Sequence, residues 1–259
     1  MTESIRVKIV LLITVLTILL LSGCSTIPKQ TADTQPPLRQ FDEVVQIEDG
    51  AKGEVQVSDP LEGFNRGVYR FNYYFDKFIF LPIVNVYTFI MPDYAEDRVS
   101  NFIDNIYEFT NFTNNLLQLK FKETGITLAR FAINTTVGVA GLWDPATSMN
   151  IRRQPEDFGQ TLGHYGVGNG PYLVLPVLGP SNLRDTTGLV ADMVAFNYAY
   201  SQVENGWMED NDIKLIFSAV TAVDKRKRQP FRYHGTGSPF EYDLVRTLYT
   251  SMRQVQVEH

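Results

Sequence analysis

Cysteine is almost absent: one residue, Cys24, occurs in a chain of 259. Without a second thiol the chain can form no internal disulfide, and no thiol remains beyond Cys24 for catalysis or metal binding. Histidine is scarce too. The three, His164, His234 and His259, have no histidine partner four residues away, and no His-Glu-x-x-His zinc signature occurs. His164, in a glycine-rich stretch, reads as a hydrogen-bonding structural residue rather than a ligand. No Gly-x-Ser-x-Gly elbow is present, which removes the ordinary serine lipase arrangement. Gly166-Val167-Gly168-Asn169-Gly170 lacks both the dinucleotide spacing and the Lys-Ser/Thr pair of a phosphate loop. Glu156 and Asp157 are adjacent on a loop and define no acid–base pair. The sequence therefore offers no catalytic residue, no metal ligand set and no cofactor site. A formal net charge of −6 argues against nucleic acid, which needs an extended basic face. Long apolar runs are also missing. Ile9 to Leu21 is too short to cross a bilayer comfortably, since a span takes roughly 20 residues.

What is present begins with that run. Arg6 and Lys8 precede it and Leu21-Ser22-Gly23-Cys24 follows it. A basic start, an apolar stretch and small residues before a cysteine make a processing signal, and the last four residues resemble a lipobox. The alternative is an uncleaved anchor helix that happens to end at a cysteine. The lipobox reading makes 1–23 a signal peptide, lipidates Cys24, and leaves 24–58 as a flexible tether, polar and interrupted by Pro28, Pro36 and Pro37. Ser25 stands where an aspartate would retain a lipoprotein in the inner membrane. The expected location is the outer membrane, lipid-anchored, on the periplasmic side.

From Asp59 the pattern is helical, and 59–259 is expected to form one mainly α domain. Phe64, Val68, Phe71, Phe75 and Phe78 recur at three- and four-residue spacing, while Arg66, Arg70, Tyr73 and Lys77 make a basic stripe on another face. Periodicity alone reads the Phe stripe as ordinary core packing. Pro82 and Pro92 bracket an apolar piece, Ile83 to Met91. Asp93-Tyr94-Ala95-Glu96 resembles a capping box, followed by a stripe of Val99, Phe102, Ile103 and Ile106. Further helices are expected at 112–119 and 123–137, with Gly138 and Gly141 ending the latter. Between Met149 and Asp185 glycine and proline forbid long helices, and Tyr172 to Val177 suits a short extended piece. Helices resume near 187–200, 210–228 and 238–255, the last opening on a capping box, Ser238-Pro239-Phe240-Glu241.

Four segments carry a family resemblance. They are Asp59-Pro60-Leu61-Glu62-Gly63-Phe64-Asn65-Arg66 with Tyr69, Phe71 and Asn72; Arg98, Val99, Asn101 and Phe102 with Asn115 to Gln118; Arg130-Phe131 with Asn134 to Thr136, Gly138, Gly141 and Asp144; and Glu156 to Gly163 with Tyr165 to Gly168, continuing through Gly170 to Tyr172, Leu175-Pro176, Gly179-Pro180 and Leu183 to Asp185. Together they resemble the MlaA (VacJ) family of outer-membrane lipid-asymmetry lipoproteins. Phe109 and Leu119 depart from the family pattern at helix ends. The resemblance implies a helical, ring-like body in the inner leaflet of the outer membrane, with an amphipathic channel. Through that channel mislocalised phospholipid leaves the outer leaflet for a periplasmic lipid-carrier protein, beside a trimeric outer-membrane porin. With the resemblance in hand, Phe71, Asn72, Arg66 and Arg70 become the candidate lipid path, and part of their helix is expected to meet the membrane. Gly138 and Gly141 could form a gating turn or a plain helix stop. Lys225 to Arg228 could meet headgroups or complement a helix end, the latter favoured by Pro230. The competing functions are a non-transporting lipoprotein adaptor that tethers a porin or other envelope partner and, more remotely, a lipid hydrolase.

Overall fold

The computed structural model describes residues 57–201 and 211–258. The signal peptide, Cys24 and nearly all of the expected tether lie outside these residues. The tether's last residues, Val57 and Ser58, are already part of the fold. Val57 packs on the core and the Ser58 carbonyl accepts a hydrogen bond from the Tyr172 N–H at 3.0 Å.

Helix α1 (Glu62–Phe75) runs through a one-turn π-helical stretch (Asp76–Phe80) into α2 (Leu81–Ile90). Pro82 has no N–H to donate and its ring crowds the preceding turn, so the local widening places the irregularity beside it. Met91 is extended ahead of Pro92, as a residue before proline must be. The chain there bends by 118° into α3 (Asp93–Leu117). No side chain caps α3. The capping box expected at Asp93 does not form, because Pro92 occupies the cap and Glu96 is buried against Lys227. The helices expected at 93–106 and 112–119 are one continuous helix of 25 residues. Asn111, Asn114 and Asn115, poor helix formers alone, are held by tertiary partners.

Gln118, Leu119 and Lys120 turn the chain into α4 (Phe121–Thr136), and α3 with α4 makes the most extensive helix pair. Short α5 (Pro145–Ser148) and α6 (Phe158–His164) precede a hairpin of β1 (Tyr172–Leu175) and β2 (Gly179–Asn182). The strands are antiparallel, Tyr172 opposite Asn182 and Leu175 opposite Gly179. Helices α7 (Leu183–Ser201), α8 (Asn211–Arg228) and α9 (Glu241–Glu258) complete the chain.

The α6–α7 crossing depends on glycine. A Cβ on Gly188 would lie 2.3 Å from the Gly159 nitrogen, and one on Gly159 would strike the Asp185 carboxylate at 2.6 Å. Asp157 caps α6 in a complete capping box with Gln160. At α9 the expected capping box does not form. Ser238 Oγ accepts from the Phe240 N–H, and Glu241 faces inward, accepting from the Tyr69 hydroxyl at 2.6 Å and the Thr236 hydroxyl at 2.7 Å.

The apolar core is small and aromatic. Tyr69 (α1), Tyr172 and Val174 (β1) and Tyr242 (α9) are buried together, with edge-to-face rings. Outside that cluster Val84, Ile103, Ile106 and Ala146 are buried too, but most buried side chains between the helices are polar or charged. The fully buried positions of α4 are Thr124, Thr127, Arg130 and Asn134, while its Phe121, Leu128 and Phe131 face outward.

Candidate functional site

Helix α1 is turned opposite to the packing expected from its Phe stripe. Its buried residues are Asn65, Tyr69, Asn72 and Tyr73, continued by Asp76 in the π-helical stretch. Phe64, Phe71 and Phe78 are 62%, 50% and 64% exposed, and Val68 and Phe75 are half-buried. The physical reason lies in β1, whose free edge finds hydrogen-bond partners in side-chain amides of α1. Asn65 Nδ2 donates to the Tyr172 carbonyl (3.0 Å) and its Oδ1 accepts from the Val174 N–H (2.9 Å). Asn72 repeats this with the Leu175 carbonyl (2.9 Å) and the Val177 N–H (2.7 Å). Both amides are thereby taken up. The apolar outer surface continues along α2, where Phe89 is 91% exposed beside exposed Ile83 and Ile90. Single exposed apolar residues are ordinary in proteins, but contiguous ones on successive elements mark a contact surface. Among the described residues no single helix is long and apolar enough to cross a membrane, whereas the bent pair 62–90 and 93–117 passes together by length and composition.

Buried ion pairs join the elements behind that surface. Arg130 on α4 donates to Glu108 on α3 (2.9 Å), to Asp144 (2.9 Å), to the Thr147 hydroxyl and to the Ile151 carbonyl. Burial alone would raise the Asp144 pKa, yet hydrogen bonds from Thr147, Arg130 and Asn134 outweigh it and hold the carboxyl at about 2. Arg253 on α9 forks between Asp157 and Asp185 at 2.7–3.0 Å. For Asp185, too, burial works upward but the Arg253 bonds prevail, and its pKa falls. At the end of α8, Arg226 forks onto Asp76 (2.6 and 2.7 Å), Lys227 pairs with Glu96 and Arg228 with Asp104. Three of the four basic residues at 225–228 thus pin α8 to the π-helical stretch after α1 and to α3. Lys225 lies over the Tyr107 ring at 3.8 Å.

A cavity of about 780 Å³ opens between α3, α6 and α7. Leu117, Phe158, Val190 and Val194 give it apolar walls, and Asn114 and Asp192 supply polar groups. Asp192 accepts from Asn114 Nδ2 and the Phe158 N–H, both at 2.9 Å, and burial pushes its pKa up against those bonds. A second cavity of about 400 Å³ lies between α1, the hairpin, the end of α8 and α9. Phe75, Phe80, Leu178 and Leu248 line it, with the Arg226–Asp76 pair on one wall.

The candidate lipid-path residues are not brought to one place. Arg66 lies inside a charge cluster, bonded to Glu62 (2.6 Å) and Asp243 (3.1 Å) with its guanidinium over the Tyr242 ring at 4.2 Å. Arg70 is exposed and forms no ion pair or side-chain hydrogen bond among the described residues. Phe71 stacks on Phe75 on the outer face, so it does not pack α1 against neighbouring helices. Asn72 is buried, borders the smaller cavity, and has its amide engaged by backbone. Gly138 and Gly141 are buried at the end of α4. A Cβ on Gly138 would lie 2.4 Å from the carbonyl oxygens of Asn134 and Trp143, and Gly141 sits at φ +87° with no room for a Cβ beside Asn105. Backbone bonds close this turn, including Ala140 N–H to Thr135 O and Gly141 N–H to Asn134 O, both at 2.8 Å. That geometry is a tightly packed helix stop, with exposed Val137 and Val139 around it.

Sequence reading did not find the Arg130–Glu108–Asp144 and Arg253–Asp157–Asp185 clusters or Asp192 as a cavity residue. Their partners lie far apart in the chain, and the one local signal available was the Asp157-x-x-Gln160 capping box.

The MlaA lipoprotein family model matches residues 57–256. An uncharacterized protein of Rickettsia prowazekii is 38% identical over 209 residues, 80% of this chain and 81% of that one. The intermembrane phospholipid transport system lipoprotein MlaA of Escherichia coli is 42% identical over 139 residues, 52% of this chain and 55% of that one. Its Haemophilus influenzae namesake is 33% identical over 175 residues, 66% and 67% of the two chains. A solved structure from work on the structural basis for maintenance of bacterial outer membrane lipid asymmetry aligns with a TM-score of 0.63 at 32% identity. It covers 77% of this chain and 99% of that one. The helical architecture, its polar interior and these matches agree, and the chain belongs to the MlaA lipoprotein family.

Proposed function

We propose that this chain is an outer-membrane lipoprotein, anchored through Cys24 on the periplasmic side, that maintains outer-membrane lipid asymmetry. It takes mislocalised phospholipid from the outer leaflet through an amphipathic passage and passes it to a periplasmic carrier, beside a trimeric porin. The names of the Escherichia coli and Haemophilus influenzae relatives support intermembrane phospholipid transport. It acts without covalent chemistry.

The observation that carries this reading is the reversed polarity of α1 and α4, with Phe64, Phe71, Phe121 and Phe131 outward and Asn65, Asn72, Arg130 and Asn134 inward. In water, exposing such a face loses roughly 25 cal/mol per Å² of apolar area relative to burying it. Against acyl chains that loss disappears, while the buried groups remain hydrogen-bonded to one another. Moving a headgroup across hydrocarbon costs several kcal/mol or more. The cavity between α3 and α7 offers walls for acyl chains and, at Asn114 and Asp192, polar groups for a headgroup.

The test compares cells lacking the gene with complemented cells, reading outer-leaflet aminophospholipid by labelling with a membrane-impermeant amine reagent. Labelling should rise on deletion and return on complementation. Unchanged labelling would overturn transport and leave the adaptor role.

A further inference from the structure

The interior arginines Arg130, Arg226 and Arg253 each face a carboxylate. Arg98, on the second turn of α3, does not. Its guanidinium carbon lies 4.7 Å from the Tyr94 ring centroid and 5.3 Å from that of Trp143, and Nε is buried without a hydrogen-bond partner. Among the described residues it forms no ion pair. Of the neighbouring acids, Glu96 is taken by Lys227, and Asp93 and Asp97 do not pair with Arg98. Both flanking rings are exposed, Trp143 by 40%. Each also stands on an element carrying an outward apolar tip. Tyr94 follows the bend that presents Phe89 and Ile90, and Trp143 closes the turn that presents Val137 and Val139. The two elements are tied together by the Asn101 amide donating to the Leu142 carbonyl at 3.2 Å.

We propose that Arg98, held between Tyr94 and Trp143, binds the phosphate of a membrane phospholipid at the rim of the lipid-facing surface. Tyrosine and tryptophan settle at the headgroup level, where one edge is wet and the body is in hydrocarbon. An arginine steadied by two rings keeps its N–H fork free, and that fork matches phosphate oxygens in pairs. The apolar tips on either side place the site at the boundary between chains and headgroups. The site rests on the membrane-seated reading above and deepens it by naming a contact that sets the depth of the protein.

The test uses the lipidated full chain in vesicles. Trp207→Phe leaves Trp143 as the one tryptophan of the original two. In vesicles of phosphatidylethanolamine and phosphatidylglycerol, Trp143 emission should shift to the blue and be quenched by lipid brominated near the carbonyl end. In vesicles of uncharged galactolipid with the same chains the shallow position should be occupied about fivefold less. Arg98→Gln should lower occupancy of the shallow position about fivefold, and Arg98→Lys should recover part of it. Inorganic phosphate added to detergent-solubilised protein should leave the emission unchanged. Equal quenching in Arg98→Gln, an equal response in galactolipid, or a shift with inorganic phosphate alone would each overturn the headgroup site. A second reporter, Phe89→Trp in a Trp143→Phe/Trp207→Phe background, reads seating by quenching from lipid brominated near the methyl end. Quenching there with a phosphate-blind Trp143 refutes the headgroup site alone. No quenching there refutes the membrane seating and the headgroup site with it.

Discussion

Asn65 and Asn72 stand about two helical turns apart on one face of α1, and each closes a pair of hydrogen bonds on the backbone at β1. The two carboxamides act as a substitute strand along the hairpin edge. That requirement turns the phenylalanines of α1 outward.

Loss of one carboxamide is expected to be costly. Asn72→Leu leaves the Leu175 carbonyl and the Val177 N–H without their partner, and should destabilise the protein by about 2–3 kcal/mol. Phe71→Leu, on the outer face, should stay within about 0.5 kcal/mol. Denaturant titration of the detergent-solubilised protein measures both.

The buried Arg130 cluster gives a double-mutant test. Arg130→Met takes from Glu108, whose side chain is 1% exposed, its shorter ion pair and leaves Arg153 at 3.4 Å, and should cost about 3 kcal/mol. Adding Glu108→Gln should return part of that, because the second change removes a buried charge left only with the longer Arg153 contact. Strictly additive losses would show that the pair is not coupled.

Acid sensitivity should trace in part to Asp144. Its folded pKa, about 2, lies below the ordinary value of 3.8. Its contribution is therefore fully present above that ordinary value and is lost as pH falls through about 2. Asp144→Asn should flatten the decline in stability between about pH 4 and pH 2, followed by circular dichroism. An unchanged acid limb would assign the decline to other carboxylates.

The turn after α4 separates a hinge from a stop. Gly138→Ala drives a methyl into two backbone carbonyls, and Gly141→Ala forces a side chain into a left-handed φ against Asn105. Both should lower folded protein and melting temperature together, by several kcal/mol. Variants with parent stability but altered surface phospholipid would restore the gating role.

Filling the larger cavity tests the passage itself. Val190→Trp adds bulk to its wall at an exposed position, where folding should tolerate it. Protein level and outer-membrane fractionation should match the parent while surface-labelled aminophospholipid rises toward the deletion level. Cys24→Ala, by contrast, should remove the acceptor for the lipid anchor and release the protein from outer membranes in fractionation.

Much of the fold was legible because local chemistry spells it out. Pro82 and Pro92 marked the irregularities around α2, and Gly138 with Gly141 marked the end of α4. Tyr172 announced the extended piece, and the glycine- and proline-rich stretch before Asp185 held only short elements. The misreadings share a cause. Asp93-x-x-Glu96 and Ser238-x-x-Glu241 have the spacing of capping boxes, but Glu96 and Glu241 are drawn inward by Lys227 and Tyr69, partners more than a hundred residues away. The stripe ending at Ile106 and the helix expected from Phe112 are one helix, in which Asn111, Asn114 and Asn115 are held by tertiary partners.

The sequence by itself determined where helices run, that one thiol sits at a lipobox-like site, and which family the chain resembles, because these depend on spacing along the chain. Only the tertiary structure decided which face of each helix is inside. Helical periodicity separates an apolar stripe from a polar one but carries no sign, and in water the apolar stripe is assumed to go in. Here the inner stripe is the one whose amides and charges complete each other: Asn65 and Asn72 against β1, Arg130 against Glu108, and Arg253 against Asp157 and Asp185. Those partners meet only when the chain has folded, so the orientation of the phenylalanine face is a property of the assembled polar interior.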